Sequence, residues 1–193
     1  MANVIRPALH HVTIKTSRLQ EMVDWYRVVV GVEVTFQDAN NAWTTNDGAN
    51  HRVAFLSVPG LRDDPDKTQH NGMHHSAFEY DSFADLMASY ERMKGESILP
   101  AFALDHGLTV SLYYRDPEGN FVELQSDNFG DWKASTHWMR TSPDFQSNPI
   151  GTFFDPEKVS QAHASGRAFS SLQPAIRAGE FLPDPIPNIG LPV

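Results

Sequence analysis

The sequence predicts an α+β fold made of two paired modules, each with a strand, a helix and several further strands, that form one curved mixed sheet. Helices are expected outside the sheet, followed by an extended C-terminal tail rich in Pro and aromatic residues. Three observations predict this fold: a stretch near the start recurs at an offset of 64 residues, both copies join a strand pattern to a helical stripe, and a hairpin pattern closes the second copy.

The first copy begins with alternating residues that predict a strand at 9–14. Apolar residues then recur at helical spacing, at Leu19, Met22, Val23, Tyr26 and Val30. Thr16 and Ser17 are the expected N-cap of this helix, and Gly31 is expected to end it. Further strands are predicted at 32–36 and 52–58, separated by a turn-rich excursion at 40–50.

The second copy repeats this order without a gap through the helix. Leu9-His10-His11 matches Met73-His74-His75, and the aligned pairs that follow are Ile14 with Phe78, Leu19 with Phe83, Tyr26 with Tyr90 and Gly31 with Gly95. Two such copies predict modules at about 7–60 and 71–128 within one domain of residues 1–128. The charged segment 59–71 is the expected linker.

A hairpin over residues 111–124 closes the second module. Tyr113 lies on its first predicted strand, and 116–119 (Asp-Pro-Glu-Gly) is a turn with Pro at its second position. Glu123 lies within the apolar second strand, where burying it unpaired would cost several kcal/mol. We therefore expect Glu123 to have a cationic partner, with Tyr113 facing the same cavity from the other arm.

Residues 129–193 form a C-terminal extension of different composition. It holds eight of the thirteen prolines, mixed with Trp and Phe. Short helices are predicted at 156–164, after an Asp155 cap, and around 170–178. Its aromatic residues predict that the extension packs on the domain or on a partner subunit.

Composition excludes several classes of function. The net charge of −9 and the lack of a basic cluster argue against nucleic-acid and anionic-membrane surfaces. The absence of cysteine excludes disulfides, thiolate nucleophiles and zinc–thiolate sites. No segment reads as a signal peptide or membrane span, so a cytoplasmic protein is expected.

The repeat places two histidines at equivalent positions, His11 and His75, beside the carboxylate of Glu123. Two imidazoles and one carboxylate suit Fe(II), because they leave positions for substrate and dioxygen, although manganese, zinc or nickel could use the same ligands. His10 and His74 are the competing candidates. Strand alternation should point adjacent residues to opposite faces, and we favour His11 and His75, which share a face with Thr13 and Ala77.

Three stretches resemble the signatures of the vicinal oxygen chelate superfamily, which includes glyoxalases, antibiotic-resistance proteins and type I extradiol dioxygenases. They are Leu-His-His-Val-Thr-Ile, Met-His-His-Ser-Ala-Phe and Tyr-Tyr-Arg-Asp-Pro-Glu-Gly-Asn-Phe-Val-Glu-Leu. The resemblance covers about residues 7–127. It implies that His11, His75 and Glu123 are the metal ligands of paired βαβββ modules.

Three more residues resemble the dioxygenases in particular. His51 lies where those enzymes carry an acid–base histidine, His106-Gly107 resembles their substrate-binding His-Gly pair, and Tyr113 lies ten residues before Glu123, like their second-sphere tyrosine. Two features depart from the large catechol enzymes. The loop from His106 to Tyr113 is shorter, and a one-domain member is expected, without the extra N-terminal pair of modules of those enzymes.

The resemblance implies an Fe(II)-dependent extradiol dioxygenase that inserts both atoms of O2 into a catechol, with 2,3-dihydroxybiphenyl or another substituted catechol as the expected substrate and Mn(II) as the alternative metal. A homo-oligomer is expected. The alternatives are a non-redox metal-dependent lyase or isomerase of the glyoxalase or epimerase type, and a metal-free small-molecule-binding resistance protein.

Overall fold

The computed structural model describes residues 5–189 of the chain. The ends of the predicted domain and tail, residues 1–4 and 190–193, lie outside this range. The strands are β1 (Val12–Thr16), β2 (Glu33–Gln37), β3 (Asn41–Thr45), β4 (Val53–Ser57), β5 (His75–Tyr80), β6 (Phe102–Asp105), β7 (Thr109–Arg115), β8 (Phe121–Asp127) and β9 (Thr152–Phe153). The helices are α1 (Leu19–Val29), α2 (Phe83–Gly95), α3 (Trp132–Thr141), α4 (Pro143–Ser147), α5 (Pro156–Ala164) and α6 (Phe169–Arg177), with a 3-10 turn at Lys67–Gln69.

The strand order confirms the internal repeat and the α+β class. The first sheet runs β1-β4-β3-β2, and the second runs β5-β8-β7-β6-β9. In each module the first and last strands pair in parallel, β1 with β4 and β5 with β8, and the remaining neighbours are antiparallel.

The described strands form two sheets, whereas the sequence predicted one continuous sheet. Each module pairs its own first and last strands, so its backbone hydrogen bonds are satisfied internally. The chain divides accordingly into two compact units. The first comprises Met1–Pro65 with Asp116–Glu118, and the second comprises Asp66–Arg115 with Gly119–Val193.

The two long helices follow the predicted stripes. In α1 the apolar face is buried through Met22, Val23, Tyr26 and Val29. Gly31, at φ +76°, lies just beyond the end of α1, as predicted. The predicted Thr16–Ser17 cap is wrong, because Thr16 belongs to β1 and Arg18 is the N-cap residue. Thr16 instead accepts a hydrogen bond through Oγ1 from the Arg18 amide at 2.8 Å.

The turn Asp116–Glu118 groups with the first unit. Glu118 Oε1 accepts from the Thr16 hydroxyl at 2.6 Å, and Glu118 Oε2 accepts from Arg18 at 2.7 Å. The buried Asp116 accepts a hydrogen bond from the Tyr26 hydroxyl at 3.3 Å. The Asp-Pro-Glu-Gly turn therefore has a packing role in addition to reversing the chain.

The C-terminal extension is more helical than its composition predicted. Helix α5 is confirmed, with Asp155 accepting from the amides of Glu157 and Lys158, and α6 matches the second predicted helix. The sequence did not predict α3, α4 or β9. The short strand β9 pairs antiparallel with β6, so the extension lengthens the second sheet.

The second unit carries an aromatic cluster on the face of its sheet that includes Glu123. Its buried members are Phe102, Leu104, Tyr113, Phe121 and Phe153, with Ile150 and Ile189 packed against them. Three of these residues, Ile150, Phe153 and Ile189, come from the extension. No helix among the described residues is long and apolar enough to cross a membrane.

Candidate metal and substrate site

Four of the predicted site residues meet in the second unit. His75 opens β5, Glu123 is central in β8 and Tyr113 lies directly opposite Glu123 on β7. Paired residues of neighbouring strands project from the same face of a sheet, so these side chains share a face. His106 follows β6 immediately.

Glu123 is 4% exposed, and both of its carboxylate oxygens have partners. Oε2 lies 2.8 Å from His75 Nε2, and Oε1 accepts from the Tyr113 hydroxyl at 2.9 Å. Burial alone would raise the pKa of Glu123, but hydrogen bonds from His75, Ser111 and Tyr113 outweigh it and hold this pKa below its ordinary value. The site therefore maintains a buried carboxylate in its charged form.

The shorter loop after β6 does not keep His106 away from this group. His106 Nε2 lies 2.9 Å from the Tyr113 hydroxyl oxygen and 3.9 Å from Glu123 Oε1. Burial lowers the pKa of His106, which favours the neutral imidazole. The carbonyl of Ile150 accepts a hydrogen bond from the same ring. Because Nε2 faces Tyr113, this second bond comes from Nδ1–H.

The hydrogens available to this array leave one acceptor unsatisfied. The single O–H of Tyr113 faces two acceptors, Glu123 Oε1 and His106 Nε2, each at 2.9 Å. Burial and the adjacent Glu123 charge raise the pKa of Tyr113, so its hydroxyl stays protonated. When Tyr113 donates to Glu123, Nε2 of His106 is free to accept a proton from a substrate hydroxyl.

The first unit gathers the other two predicted residues. His10, His11 and His51 place one ligand atom each within 4.8 Å of one another. The rings of His11 and His51 are 4.3 Å apart between centroids. Nδ1 of His51 lies 2.7 Å from Asn50 Oδ1, an acceptor that places the ring proton on Nδ1 and leaves the Nε2 lone pair available. Desolvation, and then the neighbouring histidines, lowers the pKa of His51.

Adjacent histidines do not separate as strand alternation predicted. Nδ1 of His10 lies 3.0 Å from Nδ1 of His11, and Nδ1 of His74 lies 2.8 Å from Nδ1 of His75. The alternation argument fails because His10, His11 and His74 precede the first residues of β1 and β5. The preceding histidine is therefore a hydrogen-bond partner of the candidate ligand in both modules.

The donor pair of the second unit fits a divalent metal ion. Imidazole nitrogen and carboxylate oxygen bind such ions at about 2.0–2.2 Å, so two donors at a right angle lie about 3 Å apart. His75 Nε2 and Glu123 Oε2, 2.8 Å apart, match this spacing. A carboxylate held charged beside an imidazole is a donor set that suits iron, manganese or zinc.

Apolar walls surround the polar group, and the sequence did not identify them. Phe102 stacks on Tyr113 with ring centroids 4.4 Å apart, and Phe121 contacts Phe102 edge-on at 5.3 Å. Phe121 also borders a cavity of about 340 Å³ that Met73 and Ile189 help to line. The available signal was the period of two in β8, which puts Phe121 on the face of Glu123.

Comparison with known proteins identifies the family. The model of the Glyoxalase/Bleomycin resistance protein/Dioxygenase superfamily matches residues 8–124. The chain belongs to this superfamily. The match includes His11, His51, His75, His106, Tyr113 and Glu123. It covers both modules and ends where β8 carries Glu123, so the C-terminal extension lies outside the superfamily match.

Two curated relatives in the superfamily come from Rhodococcus globerulus. Biphenyl-2,3-diol 1,2-dioxygenase 2 is 39% identical over 186 residues, covering 96% of this chain and 97% of the relative. Biphenyl-2,3-diol 1,2-dioxygenase 3 is 36% identical over 169 residues, covering 87% and 88%. Both alignments extend beyond the superfamily match, so much of the C-terminal extension aligns with these relatives too.

Solved structures of other proteins share the fold. A glyoxylase/bleomycin resistance protein/dioxygenase domain from Frankia sp. superposes with a TM-score of 0.54 at 18% identity, covering 66% of this chain and 96% of that one. Lactoylglutathione lyase from Agrobacterium tumefaciens gives 0.50 at 20% identity, covering 63% and 95%. At this identity the likeness concerns the fold alone.

Proposed function

We propose that the chain is an Fe(II)-dependent extradiol dioxygenase that cleaves a catecholic ring with O2. His11, His75 and Glu123 would hold the metal, with Mn(II) as the alternative ion, and His51, His106 and Tyr113 would serve the substrate. The arrangement that carries the proposal is the charged Glu123 carboxylate, bonded to His75 and Tyr113, with His106 at the other side of the Tyr113 hydroxyl.

The repeat supports His11 as the third ligand. His11 and His75 each precede or open the first strand of a module, and that strand pairs in parallel with the last strand in both modules. Two imidazoles and one carboxylate leave positions free on Fe(II), which when bound would supply the redox chemistry for substrate and dioxygen.

His106 and Tyr113 would bind and orient the catechol. Nε2 of His106 is the acceptor left without a hydrogen, so it can take a hydrogen bond or a proton from one catechol hydroxyl. Tyr113 donates to Glu123 and offers its oxygen lone pairs to the same region. The Phe102 ring stacks on the Tyr113 ring and restricts its movement.

His51 would act as the acid–base residue. Its Nδ1–H is directed to Asn50, so Nε2 carries the lone pair that can accept a substrate proton and later return it. The lowered pKa of His51 keeps the ring neutral at pH 7, which is the form that a base requires.

The surroundings favour an apolar aromatic diol. Phe102, Phe121 and Ile189 present aromatic and aliphatic surface on the same face of the second sheet as Glu123 or beside it. Aromatic rings bind such surfaces by burial and by edge-to-face contact. Together with the names of the two curated relatives, this supports 2,3-dihydroxybiphenyl or an alkyl-substituted catechol as the substrate.

Oxygen uptake tests this function directly. The protein would be purified without oxygen, loaded with Fe(II) and supplied with a panel of catechols in an oxygen electrode. We expect stoichiometric oxygen consumption and a yellow ring-opened product. Turnover of a glyoxalase-type substrate with zinc or nickel, without oxygen uptake, would instead indicate a lyase. Failure to bind any metal would indicate a small-molecule-binding protein.

A first prediction concerns His74, which is expected to orient the neighbouring candidate ligand His75 through a hydrogen bond. A metal on His75 Nε2 places the His75 proton on Nδ1, and His74 Nδ1, 2.8 Å away, would accept it. Replacing His74 with Phe keeps a ring to stack on Phe121 but removes this acceptor. We expect iron affinity to fall by about 10- to 100-fold, measured by competition with a chelator.

His74→Asn is the matched control, because its side-chain oxygen restores an acceptor near the same place. We expect it to recover much of the lost affinity. Iron binding by the Phe variant equal to that of the wild type would show that His74 does not support the ligand.

Two expectations concern the setting of the protein rather than its chemistry. Assembly into a homo-oligomer and a cytoplasmic location stay predictions. Exposed apolar side chains on the second unit, including Trp132 at 69% exposure and Met73 at 62%, support self-association. Light scattering on the purified protein tests it.

A further inference from the structure

The loop that carries His106 is short and held from several sides. It connects β6 to β7, and the His106 amide donates to the Thr109 carbonyl at 2.9 Å. Gly107 has φ +83°, in the left-handed region that favours glycine. A Cβ at Gly107 would lie 2.2 Å from the Trp138 ring of α3, so the extension covers this loop tightly.

Asp105 fixes the inner side of the loop. It is 1% exposed, and its Oδ1 accepts from the Gly107 amide at 2.6 Å and from Asn128 Nδ2 at 3.3 Å. Asn128 adds two further bonds to the loop. Its side-chain Nδ2 donates to the Gly107 carbonyl at 3.1 Å, and its backbone amide donates to the Leu108 carbonyl at 2.8 Å. The backbone that follows His106, at Gly107 and Leu108, is therefore bonded to the buried Asp105 and the partly buried Asn128.

The C-terminal extension fixes the outer side. Its strand β9 pairs Thr152 with Asp105, the residue before His106. At Gly151 the extension approaches the end of β6 so closely that a Cβ would lie 2.1 Å from the Asp105 carbonyl oxygen and 2.8 Å from His106 Cα. The carbonyl of Ile150 then accepts the hydrogen bond from the His106 ring.

We propose that Asp105 and the segment 150–152 are positioning elements for His106, so that the extension is part of the active centre. The Ile150 carbonyl holds the proton of His106 on Nδ1 and thereby presents the bare Nε2 to the substrate hydroxyl. Close contact at Gly151 sets the distance between the Ile150 carbonyl and the ring. This inference rests on the proposed function, because it takes His106 as the residue that binds the catechol.

Gly151→Ala is the sharpest test, because the chain offers a matched control. Gly166 has φ +96° and Gly151 has φ +97°, but a Cβ at Gly166 would meet nothing within 4 Å. Both substitutions impose the same backbone strain, and only Gly151→Ala displaces the His106 loop. We expect about a 100-fold loss of kcat/KM at unchanged iron content for Gly151→Ala, the cost of a displacement of about 1 Å, and near wild-type activity for Gly166→Ala.

Asp105 supplies a second variant pair that does not depend on the glycine. Asp105→Asn keeps an acceptor oxygen for the Gly107 amide, whereas Asp105→Ala removes it. We expect Ala to raise KM and lower kcat, and Asn to restore both in large part. Ser82→Ala, which removes the side-chain cap of α2 outside the His106 loop and the segment 150–152, controls for a general loss of stability.

A readout without turnover separates this inference from the proposed function. In metal-free protein with isotope-labelled histidine, the ring-nitrogen NMR shifts should report the Nδ1–H tautomer for His106, lost in Gly151→Ala and kept in Gly166→Ala. The same tautomer in all variants, or equal activity of the Gly151 and Gly166 variants, would overturn the positioning role. An inactive wild type whose tautomer responds as expected would instead overturn the dioxygenase assignment.

Discussion

Replacing Glu123 with Gln is expected to abolish metal-dependent activity while leaving the metal-free fold intact. Gln can still accept from Tyr113, but it loses the charge that a divalent ion requires. Thermal unfolding measures the effect. Iron at 100 times its Kd should stabilise the wild type by about 2.7 kcal/mol, and this gain should vanish in the variant. Without metal the variant should be somewhat less stable, since the hydrogen bonds that lower the pKa of Glu123 stabilise its charged form in the folded protein.

Glu79→Gln is the control, because Glu79 lies on β5 and pairs with Gln125, two residues beyond Glu123 on β8. Its carboxylate accepts from Gln125 and Trp132 and has no contact with the candidate ligands among its hydrogen bonds. Iron stabilisation should survive this change. An iron-dependent shift of the unfolding temperature that persists in Glu123→Gln would contradict the assignment of Glu123 as a ligand.

Replacing His51 with Ala should lower turnover by about 10²- to 10⁴-fold, the usual contribution of a positioned acid–base group. Iron should remain bound, because His51 is assigned to proton transfer and not to the metal. The measurements are kcat from oxygen uptake and iron content by elemental analysis on the same sample.

His137→Ala removes an exposed histidine from α3 and is the matched control for loss of an imidazole. It should leave kcat unchanged. Unchanged turnover in His51→Ala would remove His51 from the mechanism, and a parallel loss of iron and activity would move it to the metal site.

The repeated part of the fold was predictable because one pattern occurs twice. Helices α1 and α2 begin at Leu19 and Phe83, which keep the offset that joins His11 to His75. The offset fails after the helices, because the loops of the two modules differ in length. The strand β3 (Asn41–Thr45) was consequently missed: it lies among Asn and Thr residues that suggested only turns, and its pairing with β2 and β4 is a tertiary effect.

The extension was less predictable, for a similar reason. Six of the ten residues of helix α3 are Trp, Ser, Thr or His, so its local helix propensity is modest. Asp131, which accepts from the Lys133 amide, was the available start signal. The stable helix depends on contacts such as that of Trp138 with Gly107, which join distant parts of the chain.

The candidate site also has features that the sequence could predict and features that it could not. The sequence indicated Glu123 as a carboxylate in need of a partner, and the structure places His75 against it. It could not indicate that adjacent histidines bond to each other, because this contact depends on where β1 and β5 begin. It also could not indicate that Ile150 bonds to His106, since a backbone carbonyl leaves no signature in a sequence.

Because β9 pairs with β6, the active centre can be completed only late in the synthesis of the protein. The histidine repeat and the strand carrying Glu123 leave the ribosome before Thr152, which pairs with Asp105. A nascent chain that ends before this residue can assemble the ladder of β5, β8 and β7 but cannot yet seat the His106 loop. Competence should thus arise only once the chain as far as β9 has emerged.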